Sequence, residues 1–211
     1  MKQDPAIHHR RSIRLQGYDY TQAGMYFVTI CTHNRVCLFG NIVDEKMKIN
    51  DAGQVVEKYW NEIPAHFPQV ELFDFVVMPN HIHGILFIGD TPSERAKDFS
   101  PLQQPPRQQT SQRPCGTSKT IGSVVRGLKI GVTKWIRNQT NIHDVWQRNY
   151  WEHIIRNEPE LQHIQEYISN NPAKWELDRM YVDDGNCRGE KSFALTVREP
   201  SPDYATEAWM V

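Results

Sequence analysis

Short apolar runs, rich in β-branched and aromatic residues, alternate along the chain with longer segments of helical periodicity. The short runs are bounded by turn residues, which is typical of strands. Two of them flank Pro79 and Asn80, whose turn chemistry predicts a pair of strands joined at this point. The predicted strands are residues 26–32, 38–43, 47–49, 70–78, 81–88 and 152–155.

Three longer segments carry apolar residues at the spacing of one helix face. Asn50 and Asn157 are suited to cap two of these helices, and Pro159 in a first turn strengthens the second assignment. The helices are predicted from Asn50 to Pro64, from about Lys119 to about Ile136, and from Asn157 to about Asn171.

The chain is predicted to form one domain with appended segments. A length of 211 residues and a hydrophobic fraction of 39% suit a single core. We assign a basic arm to residues 1–25, the folded domain to 26–178 and a polar tail to 179–211. Residues 91–118 are rich in Pro and Gln and are predicted to be a flexible insertion, because they cannot bury enough apolar surface.

Membrane and secretory signals are missing from the sequence. No apolar run approaches the roughly 20 residues that cross a bilayer, and the N-terminus lacks the apolar core of a signal peptide. We therefore expect a cytoplasmic protein with no membrane partner. The four cysteines have no C-x-x-C spacing, which argues against a zinc ribbon and predicts reduced thiols.

Basic residues are distributed unevenly, although the formal net charge is only −1. Residues 99–143 contain no Asp or Glu, while several lysines and arginines fall there. A solvated basic surface is one explanation of this pattern. The other, favoured when a metal site accompanies it, is a surface that binds phosphates. The candidate DNA-binding residues are Arg10, Arg11, Arg14, Arg126, Lys129, Lys134 and Arg148.

The most informative motif is the pair His81 and His83. Side chains alternate along a strand, so both imidazoles face one way while Ile82 faces the other. Two imidazoles supply part of a metal site, and a third ligand must come from elsewhere. The competing interpretation is a pair of histidines lining a half-exposed sheet. The turn at Pro79 and Asn80 directly before the pair favours a site.

Tyr167 and Asn171 form a second pair, four residues apart on the last predicted helix. This spacing puts a phenol and an amide on the same side, one turn apart, where both can face a cavity. The alternative is an ordinary tyrosine on the helix flank and an ordinary asparagine at its C-terminus. Tyr150 is a rival nucleophile, but no amide or carboxylate stands at helical spacing from it.

Several motifs resemble those of a known family. They are MPNHIH at 78–83, WQRNY at 146–150, EHIIR at 152–156 and YISNNP at 167–172, and the basic start at 10–15 is also similar. Together they resemble the REP-associated tyrosine transposases, which belong to the single-tyrosine branch of the HUH nuclease superfamily. The resemblance covers residues 10–178, without the insertion and without the tail.

This resemblance implies a ferredoxin-like α+β fold, with an antiparallel sheet and helices packed on one face. It implies a divalent ion, Mg²⁺ or Mn²⁺, held by His81, His83 and Asn171, and it makes Tyr167 the nucleophile. Asn80 and His153 are then expected to orient the metal ligands.

The implied activity is that of a metal-dependent tyrosine transposase. Such an enzyme cleaves and joins single-stranded DNA with hairpins through a 5′-phosphotyrosine intermediate. Two other functions stay open here: a domesticated module that binds DNA hairpins without cutting them, and a hydrolase that uses water in place of Tyr167. Whether the chain is a monomer or a homodimer is also open.

Overall fold

The structure is a computed structural model and describes residues 23–89 and 120–182. Each predicted strand and helix within these residues is observed, with ends shifted by a few residues. In chain order the elements are β1 (Gly24–Cys31), β2 (Gly40–Val43), β3 (Lys46–Ile49), α1 (Asp51–Asn61), α2 (Ile63–His66), β4 (Val70–Val77), β5 (His81–Ile88), α3 (Ile121–Gln139), β6 (Trp151–Ile155) and α4 (Glu158–Asn170), with short 3-10 segments at His33–Arg35 and Pro172–Leu177.

One predicted helix is divided in two. Asn50 caps α1 by accepting a hydrogen bond from the amide of Gly53, as its position in the sequence indicates. The helix ends at Asn61, and Pro64 lies in the first turn of the short helix α2. Proline is tolerated in a first turn because the amide that it lacks would have no partner there. The proline therefore begins a helix where the sequence pattern predicted an end.

Four strands form one antiparallel sheet in the order β4-β5-β1-β6, and β2 pairs with β3 in a separate hairpin. With α1 before β4 and α3 before β6, this order is the ferredoxin-like arrangement, so the predicted α+β class is confirmed. Strand β5, which carries His81 and His83, is a central strand. Its neighbour β1 places Cys31 opposite His81 and Thr29 opposite His83.

Helices cover both faces of the sheet, which corrects the expectation of helices on one face. Tyr26 and Val28 of β1 face α1 and α3, whereas Met25 and Phe27 face α4 through residues such as Ile164. The one-face arrangement is right for α1 and α3 and wrong for α4. The physical reason is that β1 and β5 are apolar on both sides, so each face needs a cover.

Gly84, directly after His83, allows the first layer of helices to approach the sheet closely. A Cβ atom at this position would collide with the indole of Trp60 on α1. That indole is 1% exposed and stacks on Phe75 of β4, with ring centroids 5.3 Å apart. The absent side chain therefore lets α1 pack directly beneath the strand that carries the two histidines.

Several sequence predictions fall outside the described residues. They concern most of the basic arm with Arg10, Arg11 and Arg14, the insertion at 91–118, and the tail beyond residue 182. Within residues 23–89 and 120–182, no helix has the length and apolar character needed to cross a membrane.

Cys31 is a free buried thiol, but Cys37 is disulfide-bonded, so the prediction of reduced cysteines is wrong for Cys37. Sequence spacing does not reveal which cysteines the fold brings together.

Candidate metal and nucleophile site

His81 and His83 lie side by side on β5 and face the layer that contains α4. Their Nε2 atoms are 3.0 Å apart, and the side chains are 0% and 3% exposed, respectively. Metal–nitrogen bonds of about 2.1 Å would separate two ligands at right angles by about 3 Å. The spacing of the two nitrogens therefore fits two ligands of one ion.

The orientation of His81 is fixed by Asn80. The Asn80 amide donates hydrogen bonds to the backbone carbonyls of Arg35 (3.1 Å) and Met180 (2.8 Å). Its oxygen must then face the other way, where it lies 2.8 Å from Nδ1 of His81. A neutral His81 that donates from Nδ1 keeps a lone pair on Nε2, inside the cluster. Asn80 thus lies where an orienting group is expected.

His83 is oriented by Thr29, whose hydroxyl lies 2.8 Å from its Nδ1 atom. Burial, with a contribution from the Arg35 charge, lowers the pKa of His81 to about 3. Burial also lowers the pKa of His83 to about 3, aided by His81 and opposed by Asp178. Both rings are therefore neutral near pH 7 and can offer lone pairs to a cation.

Tyr167 brings its hydroxyl to this cluster from α4. The hydroxyl oxygen lies 3.2 Å from Nε2 of His83 and donates to Oδ2 of Asp178, also at 3.2 Å. Tyr167 is nevertheless 43% exposed, so a substrate can reach it. Burial of part of the ring, the Asp178 charge and the hydrogen bond to Asp178 raise the pKa of Tyr167 to about 12. The phenol is consequently protonated at neutral pH.

Asn171, at the C-terminal end of α4, is buried with a free amide oxygen. Its Nδ2 donates to Oδ2 of Asp178 at 3.0 Å, and a carboxylate can only accept, so Oδ1 points elsewhere. Oδ1 is buried and has no hydrogen-bond partner. An unpaired buried oxygen is costly, and a cation would satisfy it. This atom supports Asn171 as a metal ligand.

Asp178 is a site residue that the sequence analysis missed. His81, His83 and Asp178 form a group that could hold a metal ion, with ligand atoms within 4.8 Å of one another. Asp178 follows the 3-10 segment Pro172–Leu177 at the border of the predicted tail, where no periodicity or motif marks it. In the sequence, only its closeness to Asn171, seven residues earlier, connects Asp178 with the predicted site. Imidazole nitrogens with carboxylate and amide oxygens are a donor set that suits a divalent ion.

His153 does not join this cluster. Its Nε2 lies 2.7 Å from Oε1 of Glu160 in the first turn of α4, and its ring is nearly parallel to that of Trp151. Within the described residues, the group that could hold a metal does not include it. Tyr150, the rival nucleophile, lines the same cavity of about 650 Å³ as His83 and Tyr167.

Four of the seven basic residues predicted to bind DNA line a groove of about 570 Å³ along α3. Arg126, Lys134 and Arg148 line it. Lys129 lines it too, but its ammonium group donates to the backbone carbonyls of Gln147 (2.8 Å) and Asn149 (3.0 Å). Lys129 therefore holds the loop before β6, whereas Arg126 and Arg148 are exposed residues.

The fold and site define an α+β protein with a buried His-x-His pair beside a tyrosine on a helix. No family model matches the chain. An uncharacterized protein of Haemophilus influenzae is 51% identical over 182 residues, which span 86% of this chain and 98% of that protein. The chain belongs to the family of this Haemophilus protein.

A second relative connects the chain with transposases. A Haemophilus influenzae protein named "Putative REP-associated tyrosine transposase" is 23% identical over 158 residues, 74% of either chain, so the two are distant homologues. A solved structure of a REP-associated tyrosine transposase bound to a REP hairpin has 20% identity and a TM-score of 0.49, over 77% of this chain and 74% of that one.

Proposed function

We propose that this protein is a metal-dependent endonuclease and strand transferase that acts on single-stranded DNA with hairpins and uses Tyr167 as its nucleophile. One observation carries the proposal: the Tyr167 hydroxyl lies 3.2 Å from a buried, neutral histidine that also contacts His81. An exposed phenol beside such a pair has the parts of a phosphoryl-transfer site. The distant homologue named as a tyrosine transposase supports the same activity.

His81, His83 and Asn171 would hold the divalent ion, Mg²⁺ or Mn²⁺, with Asp178 beside them. When bound, the ion would polarise a non-bridging phosphate oxygen and stabilise the charge of the transition state. Asn80 and Thr29 keep the two imidazoles in position through the hydrogen bonds described above. Asp178 does the same for Asn171, because it accepts from the amide nitrogen and leaves the oxygen free.

The chemical step belongs to Tyr167. Its oxygen attacks phosphorus while the hydroxyl proton passes to Oδ2 of Asp178, the carboxylate to which it is already hydrogen-bonded. The bond between phosphorus and the 3′-oxygen breaks, and this oxygen leaves as a 3′-hydroxyl with a proton from solvent. The product is a 5′-phosphotyrosine. A second 3′-hydroxyl can reverse the step and join strands without an external energy source.

A single strand fits this site better than a duplex. The ring of Tyr167 packs edge-on against Phe27, and its hydroxyl lies 3.2 Å from Nε2 of the buried His83, so the attacked phosphate has to come close to buried groups of the sheet. A flexible single strand can bend to do so more easily than a stiff duplex. Unpaired nucleotides expose their phosphates and base faces. The groove of basic residues along α3 supplies charge for a phosphate backbone near the loop that borders the cavity.

Hairpin oligonucleotides labelled at one end test the proposal. With Mn²⁺, the fragment that carries a 3′ label should become attached to protein, because Tyr167 bonds to its 5′-phosphate, and the 5′-labelled fragment should be released with a free 3′-hydroxyl. Tyr167→Phe should abolish attachment. Tyr59→Phe, on α1 at the opposite face of the sheet, is the matched control and should react at the wild-type rate.

Two outcomes would contradict the proposal, and each would favour a different function. Cleavage by Tyr167→Phe at the wild-type rate would assign the reaction to a water-using hydrolase. Hairpin binding without cleavage in Mn²⁺ or Mg²⁺ would assign the protein to the class of domesticated hairpin-binding modules.

A further inference from the structure

Trp151 is a tryptophan with an exposed ring on an edge strand. It begins β6, the outermost strand next to β1, and is 52% exposed. Among the large apolar side chains of the described residues, the exposed aromatic ones are Trp151 and Tyr167, and both line the same cavity. A single exposed apolar residue needs no explanation, so the position of Trp151 has to carry any inference.

Trp151 lies in the same row across the sheet as His83 of the candidate site. Thr29 on β1 is opposite His83 on one side and opposite Trp151 on the other. Residues directly opposite each other in a sheet point to the same face. Neighbouring strands are about 4.8 Å apart, so the backbone of Trp151 lies about 10 Å from that of His83. Thr29 between them is small and lines the same cavity as His83 and Trp151.

The orientation of the indole is supported from α4. Its plane is within 12° of the His153 ring, with centroids 6.4 Å apart. His153 is in turn held by Glu160, whose Oε1 lies 2.7 Å from Nε2. Helix α4 therefore fixes the nucleophile Tyr167 near its C-terminal end and the support of Trp151 in its first turn.

The surroundings of Trp151 suit a nucleobase. Gln147 and Asn149 line the same cavity and offer amide donors and acceptors, while Trp151 and Phe27 offer aromatic surface. The volume of about 650 Å³ falls within the range of small-molecule sites. A base needs this combination of a flat apolar surface and hydrogen-bonding groups.

We propose that Trp151 stacks on an unpaired base of the nucleotide next to the phosphate that Tyr167 attacks. This inference rests on the proposed function and adds a substrate requirement to it: an unpaired nucleotide beside the cleaved bond. Glu160 and His153 act as positioning residues for the indole.

The test uses hairpin oligonucleotides with single-stranded flanks that carry 2-aminopurine at successive positions. Full-length Tyr167→Phe protein binds them without reacting, and the fluorescence of 2-aminopurine falls when it stacks on an aromatic ring. We expect strong quenching at one flank position. Adding Trp151→Leu, which keeps apolar bulk but removes the ring, should abolish this quenching and weaken binding about 10- to 100-fold. Trp151→Phe should retain most of both.

The outcomes separate this inference from the proposed function. Quenching and affinity that are unchanged in the Trp151→Leu background would overturn the stacking role, even if the wild-type protein forms a tyrosine adduct. Trp151-dependent quenching in the Tyr167→Phe background, together with no adduct from the wild-type protein in Mn²⁺, would uphold the stacking role and overturn the proposed cleavage. As a control, both Trp151 variants should melt at the wild-type temperature, which would show that the substitutions leave the fold intact.

Discussion

The amide oxygen of Asn80 lies 2.8 Å from Nδ1 of His81, and two backbone carbonyls hold the amide nitrogen of Asn80 on its other side. This arrangement permits only one orientation of the amide. It therefore assigns the proton of a neutral His81 to Nδ1 and its lone pair to Nε2, next to His83.

Asn80→Ala should weaken metal binding without removing a ligand. Loss of an orienting partner typically costs 10- to 100-fold in metal affinity, and we expect a loss of about that size for Mn²⁺, measured by calorimetric titration. The two carbonyls left without a donor should also lower the free energy of unfolding by roughly 1–3 kcal/mol. Asn61→Ala, at an exposed position of α1, serves as the control. Mn²⁺ affinity equal to that of the wild type would refute the orienting role.

Lys129 should behave differently from the exposed arginines of the α3 groove, Arg126 and Arg148. Its ammonium group is engaged with the carbonyls of Gln147 and Asn149, so Lys129→Met should disturb the loop that borders the cavity. We expect weaker DNA binding with an unchanged salt dependence. Arg126→Met, at an exposed position of α3, should reduce the slope of log affinity against log salt by about 0.7, the value for one phosphate on a single strand. Equal losses of slope in both variants would show that Lys129 also contacts phosphate.

Glu160 should make the stability of the protein depend on acid pH. Burial raises the pKa of Glu160, but hydrogen bonds from the Arg156 amide and from His153, with the charges of both residues, outweigh this and lower the pKa below 4.5. Because the folded pKa is below the unfolded one, the contribution to stability is complete above the unfolded pKa of about 4.3 and is lost as pH falls through the folded value.

Glu160→Gln should therefore melt at a lower temperature than the wild type at pH 7, and the difference should shrink below about pH 4. Glu166→Gln, on the same helix, is the comparison variant. A difference that stays constant from pH 7 to pH 3 would contradict the role of the carboxylate charge.

The sequence predicted most of the fold, because the signals were local. Asn50 and Asn157 cap their helices as their positions indicate, and the strand with His81 and His83 is bounded by the turn before it. The cover on the second face was not predicted. The apolar stripe of α4 indicates that the helix is buried but does not say against which side of the sheet.

The candidate site was predictable only in part. The histidine pair and the tyrosine–asparagine pair have spacings that are meaningful within one strand or one helix. Asp178 contacts Tyr167 and Asn171 because the chain turns back towards them after α4. Trp151 is aligned with His83 because both are paired with Thr29 of the strand between them. Such relationships depend on tertiary structure. Likewise, helical periodicity places Lys129 outside the apolar face of α3 but does not reveal the backbone carbonyls to which its ammonium group donates.

The most direct measurement is the identity of the residue that becomes bonded to DNA. The wild-type protein would be incubated with hairpin DNA and Mn²⁺, treated with nuclease and protease, and analysed by mass spectrometry. We predict a nucleotide attached through its 5′-phosphate to the peptide that contains Tyr167. Attachment to Tyr150, or cleaved DNA without any modified tyrosine, would contradict the assignment of Tyr167 as the nucleophile.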